Sequence, residues 1–199
     1  MKSTKSPGKT AAFFCSLTFV GICSARLVSA QTNSVYSKAE AEKVVRAIEK
    51  IEAEVSSEPS SPGRSVALTE SELNSYIAYC IEIGGEEIMK ELRIKILDQN
   101  RLEGKAGIDL SGKDIPSFLK PKMTLYFSGD LIVRDSIARM EFIELYIDEQ
   151  RIMPFILDGV ISLVARFSGD EPVDLRRGFE LPYGIRDIRT QKGTAVFYY

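Results

Sequence analysis

At 199 residues, 44 % hydrophobic and 27 % charged, the chain has the size and apolar content of one globular domain with appendages. Its 26 basic residues against 28 acidic ones exclude the strong positive excess of a general nucleic-acid binder. There is no histidine, which removes the usual general base at neutral pH, the commonest metal ligand, and the Ser-His and Cys-His pairs of nucleophilic catalysis.

The first segment reads as a secretory signal over residues 1–30. Lys2, Lys5 and Lys9 form a positive start with no acid nearby, and a mostly apolar run follows from Ala11 to Cys23. That run is too short to span a bilayer comfortably, and Val28-Ser29-Ala30 offers small residues for cleavage before Gln31. Cleavage after Ala25 is a second option, and Arg26 leaves room for a retained signal anchor. Phe14 and Ile22 precede Cys15 and Cys23 where a lipoprotein signal places a small residue. Removal of 1–30 leaves 22 basic and 28 acidic residues, a net charge of −6. Cys80 is then the single cysteine, so an exported, periplasmic or extracellular protein without an intramolecular disulfide is expected.

Residues 31–65 carry a helix and a linker. Ser37-Lys38-Ala39-Glu40 matches a capping box, and Val44, Val45, Ile48, Ile51 and Val55 make a narrow apolar stripe, suited to packing on the domain or on a partner helix. Ser56–Ser65 is polar with two prolines and a glycine and reads as a linker before a globular domain, 66–199.

That domain opens on a helix with both ends marked. Thr69-Glu70-Ser71-Glu72 is a second capping box, and Leu68 and Leu73 are placed for a hydrophobic staple. Glu70 and Glu72 complement the helix dipole, and Gly84-Gly85 supplies a left-handed stop. Leu73, Tyr76, Ile77, Cys80 and Ile81 share one face. The face suits ordinary core packing or one wall of an apolar pocket, and Cys80 on it reads as a small buried hydrophobe rather than a reactive thiol.

The period then changes from about 3.6 to 2. Leu92, Ile94 and Ile96 alternate with charged residues. Asp98-Gln99-Asn100 turns the chain, and Leu102, Gly104, Ala106, Ile108 and Leu110 share the return parity. Small inward Gly104 and Ala106 leave room for another element or let the strand bend. Ser111–Lys122 is a loop in which Phe118 and Leu119 either form a tip or fold back on the core. Met123, Leu125, Phe127, Leu131 and Val133 share a face with Gly129. After Arg134-Asp135-Ser136, the strand Ile137–Asp148 changes phase, which predicts a bulge near Phe142-Ile143 and a curved sheet. Pro154 starts a helix to about Phe167 that is apolar almost all round, so it is buried on several sides or lies on a membrane. A polar loop, Ser168–Arg177, precedes a last hairpin turning at Gln191-Lys192-Gly193.

Catalytic signals are sparse. The adjacent carboxylates Glu86-Glu87, Asp148-Glu149 and Asp170-Glu171 stand at element ends or in loops, where solvated charge is ordinary. No Gly-rich phosphate loop, zinc-spaced cysteine pair or calcium-loop pattern is present. No enzyme activity, cofactor or metal is expected, with a carboxylate-based hydrolase as the weakest of three readings. Arg176-Arg177 and Lys120 with Lys122 are basic pairs able to meet phosphate headgroups.

Leu68-Thr69-Glu70-Ser71-Glu72-Leu73-Asn74 with the hairpin Leu92–Leu110, and Leu181-Pro182-Tyr183-Gly184-Ile185 with the closing hairpin, resemble YpmS-like exported bacterial proteins over about residues 66–199. The resemblance implies a distant relation to tubular lipid-binding domains, whose curved antiparallel sheet wraps a long helix around a lipid-holding groove, and it carries over no catalytic residue. The expected fold is α+β: a curved antiparallel sheet of about six strands on two apolar helices, plus an N-terminal helix on a linker. The leading expectation is a non-enzymatic envelope protein holding a lipid or other apolar ligand between sheet and helices. Leu73, Tyr76, Ile77, Cys80, Ile81, Phe127, Leu157, Ile161 and Val164 would line that groove. The alternative is an interaction or scaffold module using helix 37–55. The partners this leaves open are a lipid or apolar small molecule and a membrane surface or envelope protein; nucleic acid is not expected.

Overall fold

The alternating and helical periods of the sequence appear in a computed structural model that describes residues 36–57, 63–85, 87–117, 119–168 and 174–199. The signal segment 1–30, linker positions 58–62, Phe118, Glu86 and the Asp170-Glu171 pair lie outside the described residues. Helix α1 (Lys38–Ser57) is followed by strand β1 (Ser65–Thr69), which runs directly into α2 (Glu70–Gly84). Strands β2 (Met89–Ile96), β3 (Arg101–Asp109), β4 (Lys122–Arg134), β5 (Ile137–Ile147) and the two-residue β6 (Gln150–Arg151) follow. Helix α3 (Pro154–Ser168), β7 (Phe179–Glu180), a 3-10 turn (Pro182–Gly184) and the hairpin β8 (Asp187–Gln191) and β9 (Thr194–Tyr198) complete the order. No helix among the described residues is long and apolar enough to cross a membrane.

The protein is α+β, with a strongly curled antiparallel half-barrel in the order β2-β3-β4-β5-β6, and β7 also on β5. The β2–β3 and β4–β5 turns place Gln99 and Asn100, and Asp135 and Ser136, at φ of 52–63°. Two successive left-handed residues match the right-handed twist of tight hairpins. Curvature comes from a bulge where the sequence changes phase. Ser128 pairs with Glu144 and Gly129 with Phe142, so Ile143 is the extra residue. Opposite it, a Cβ on Gly129 would stand 2.6 Å from the Glu141 carbonyl oxygen, so only glycine admits this approach. The space beside Gly104 is taken by the Phe127 ring from the paired position on β4.

The closing hairpin does not extend the half-barrel. It forms a second sheet, β1-β9-β8, in which Ser65–Thr69 pairs with Thr194–Tyr198. Val66-Ala67-Leu68 is an unbroken apolar run without alternation, so it reads in sequence only as a prelude to α2. The β2–β3 turn joins the two sheets: Thr190 N–H donates to Asn100 Oδ1 at 2.7 Å and Lys192 N–H to Asp98 Oδ1 at 2.9 Å.

The start of α2 ties four elements together. Thr69 and Glu72 form the full capping box, at 3.2 and 2.9 Å. Glu70 Oε2 accepts from Ile96 N–H at 2.7 Å, and Asn74 both accepts from Ile94 N–H (2.8 Å) and donates to Ile94 O (2.7 Å), which engages the outer edge of β2 at its C-terminal end. Ser71 and Ser75 hydroxyls both donate to Glu40 on α1 at 2.8 Å. The box expected at Ser37 is therefore half formed: Ser37 Oγ accepts from Glu40 N–H at 3.3 Å, while the Glu40 carboxylate turns to α2. Nor is α1 a free arm. Ala41, Val44 and Ile48 are buried against Leu68, Tyr76 and Cys80.

Helix α3 lies on the half-barrel. Leu157 and Ile161 pack with Ala106, Leu125 and Leu145, and Val160 and Val164 with Ile88, Ile108, Leu110 and Met123. Ile115 and Leu119 pack on this second group, so that part of the 111–122 loop folds back on the core.

Candidate functional site

The nine sequence-predicted groove residues divide among separate packing groups. Tyr76 and Cys80 are buried together against α1, and burial pushes the Tyr76 hydroxyl well above its usual pKa. Leu73 borders that group and the one around Ile96 and Ile188, while Ile77 and Ile81 are half-buried. Leu157 and Ile161 are brought together with Phe127, and Val164 sits one group further along α3. None of the four apolar groups contains residues of both α2 and α3.

An apolar depression does form, on the outer side of β5. Its volume is about 430 Å³ and it is lined by Phe142, Ile143, Leu145, Arg151, Ile152, Met153 and Pro154. Local chemistry builds it in three steps. The bulge re-aims the chain at Ile143 and leaves that side chain 46 % exposed. The two-residue β6 then gives way, with Ile152 N–H donating to Leu145 O at 2.9 Å. Met153 precedes Pro154, which fits the first helical turn because it lacks an N–H to satisfy. Leu145 is the buried floor, and Phe142 is fixed edge-on to Phe127 at 6.3 Å and 89° between ring planes. Met153 and Phe155 stand 64 % and 65 % exposed at the start of α3.

Along β5, the edge between β6 and β7 has no pairing strand among the described residues. Met140 N–H bonds there to Leu175 O at 2.8 Å. Arg151 is the one charged residue in the groove lining, and no carboxylate is bonded to it among the described residues. By contrast, Arg139 pairs with Glu141 at 2.8 Å, and Arg176 pairs with Asp158 on α3.

A second depression, of about 350 Å³, is lined by charged Lys90, Asp109, Lys122 and Asp148 together with Gly107, Ile108, Met123 and Thr124. Its carboxylates are already engaged. Asp109 accepts from Ser111 N–H at 3.0 Å and pairs with Lys122 at 3.3 Å. The Ser111 bonds first, then the lysine, hold its pKa down at about 2. Asp148 is lowered chiefly by Lys120 at 2.9 Å and also accepts from Thr124 N–H. Saturated pairs of this kind anchor a loop and leave no carboxylate poised to move a proton. Among the described residues, no three Cys, Asp or Glu side chains gather as metal ligands.

No protein-family model matches the chain, and no curated protein matches it. Sequence reasoning marked the phase change at Phe142-Ile143 and the apolar excess of Phe155. It did not join them, because the juxtaposition depends on how the bulge faces the chain leaving β6.

Proposed function

We propose that this is an exported, non-enzymatic envelope protein that binds a lipid or other apolar ligand in the groove formed by β5, β6 and the start of α3. The observation that carries the reading is the gathering of exposed apolar side chains. Of six large hydrophobic residues exposed among the described ones, Ile143 and Met153 line this groove, and Phe155 follows its lining residue Pro154 in the chain. Scattered exposed hydrophobes need no explanation, but a contiguous patch around a concave lining marks an interaction site. The YpmS-like resemblance adds a lipid-binding context. The scaffold alternative has less support, since the stripe of α1 is already covered by α2.

Fluorescence of N-phenyl-1-naphthylamine, an uncharged apolar probe, tests this reading on the purified chain. Enhancement is expected with the native sequence. Ile143→Asp or Met153→Asp, at positions open enough to accept the change without unfolding, should weaken it roughly tenfold, as expected when a buried contact is replaced by a desolvated charge. Binding that is absent, or unchanged in both variants with thermal unfolding also unchanged, overturns the proposal. Export is tested separately: protein recovered outside the cytosol should begin at Gln31, or at Arg26 for the earlier cleavage.

A further inference from the structure

We infer that the groove takes a single-chain amphiphile with a carboxylate head, the class of free fatty acids, and that Arg151 holds the head. This rests on the apolar-ligand reading above and narrows it. Two features on the molecule define the ligand. First, the lining is apolar at every position but one, and that one is a guanidinium. Arg139 on β5 and Arg176 against α3 are each neutralised by a carboxylate, whereas Arg151 has no such partner among the described residues. A planar fork of donors left unpaired beside apolar surface is complementary to a carboxylate, which it meets with two parallel bonds. Second, the volume of about 430 Å³ lies toward the small end of the ~300–1,000 Å³ range of small-molecule sites. It suits one alkyl chain better than the two of a diacyl phospholipid. Met153, largely exposed in the groove lining, can then cover the tail when it is seated.

The test is displacement of bound N-phenyl-1-naphthylamine from the full chain by three competitors: laurate, 1-dodecanol, and vesicles of diacyl phosphatidylglycerol. Laurate is expected to displace the probe at roughly tenfold lower concentration than the alcohol of equal length, the gain of one charge-assisted bidentate contact. Arg151→Gln should remove that difference, read as the ratio of laurate to dodecanol displacement within each variant. Arg151→Lys should recover part of it, because the charge returns without the fork. Laurate and dodecanol displacing equally from the native protein would overturn the carboxylate assignment and leave the apolar groove standing. An unchanged laurate preference in Arg151→Gln would overturn the role of Arg151. Displacement by the vesicles but not by laurate would overturn the single-chain assignment. Failure of the probe to bind at all removes the groove reading and this inference with it.

Discussion

Replacing Asn74 by alanine tests how the half-barrel is closed at its first strand. Strand β2 is the outer strand of the curled sheet, and an outer strand leaves a row of unpaired amides and carbonyls. Here α2 supplies the missing partners through side chains. Asn74 makes two of these bonds, at 2.7 and 2.8 Å, to the carbonyl and amide of Ile94. The variant loses both and leaves two backbone groups that are half-buried. A net bond contributes roughly 0.5–1.5 kcal/mol and an orphaned buried group costs ~1–3 kcal/mol, so with partial access to water the loss should total about 2 kcal/mol. For a chain of this size that corresponds to a fall in Tm of about 4–8 °C. Glu70→Gln is the matched control. It keeps an acceptor for the Ile96 amide and should change stability by less than ~0.5 kcal/mol, the usual span of a substitution that preserves its contacts. Urea unfolding followed by circular dichroism measures the change, and hydrogen exchange at the Ile94 amide locates it. If Asn74→Ala unfolds within ~0.5 kcal/mol of the native protein, or the Ile94 amide keeps its protection, side-chain closure of this edge is not what stabilises it.

Three further outcomes are expected. Thr69→Ala removes the hydroxyl that accepts from Glu72 N–H and should cost about 1 kcal/mol in urea unfolding. Gly129→Ala would push a methyl to 2.6 Å from the Glu141 carbonyl; relieving this means parting β4 from β5 at the bulge, a loss of roughly 1–3 kcal/mol by the same assay. Acid should weaken the fold through carboxylates that the native state holds ionised. Asp109, Asp148, Asp174 and Glu72 all have lowered pKa values. Their contribution is complete above the unfolded values of about 4 and is lost as pH falls through the folded ones. For Asp109 that loss extends to about pH 2. The urea midpoint should therefore drop between about pH 4 and pH 2, with a shallower drop in Asp109→Asn; a flat midpoint over that range contradicts the assignment.

Features fixed within a few residues were legible in the sequence. The Thr69 box, the turns at Asp98-Gln99-Asn100 and Arg134-Asp135-Ser136, and the bulge at Ile143 each depend on neighbours close in the chain. The apolar faces of α2 and α3 were legible as faces, but a periodic stripe states that a side is covered and not by what. Thus Tyr76 and Cys80 meet α1, while Leu157 and Ile161 meet β3, β4 and β5, so the two sets fall in separate packing groups. Glu70 and Asn74 carried no visible sign of their bonds to β2, because a polar residue on a helix looks the same whether it faces water or another strand's backbone. The groove beside Arg151 depended on three segments that converge only after the sheet has curled.

Strand β1 lies between α1 and α2 in the chain, yet among the described strands its sole partner is β9. A chain made from its N-terminus would therefore hold the amide row of Ser65–Thr69 unmatched until residues 194–198 had also emerged. Closure of such distant pairs is slow compared with local turns. The second sheet, β1-β9-β8, is thus the part of the fold whose assembly waits for the last residues of the domain.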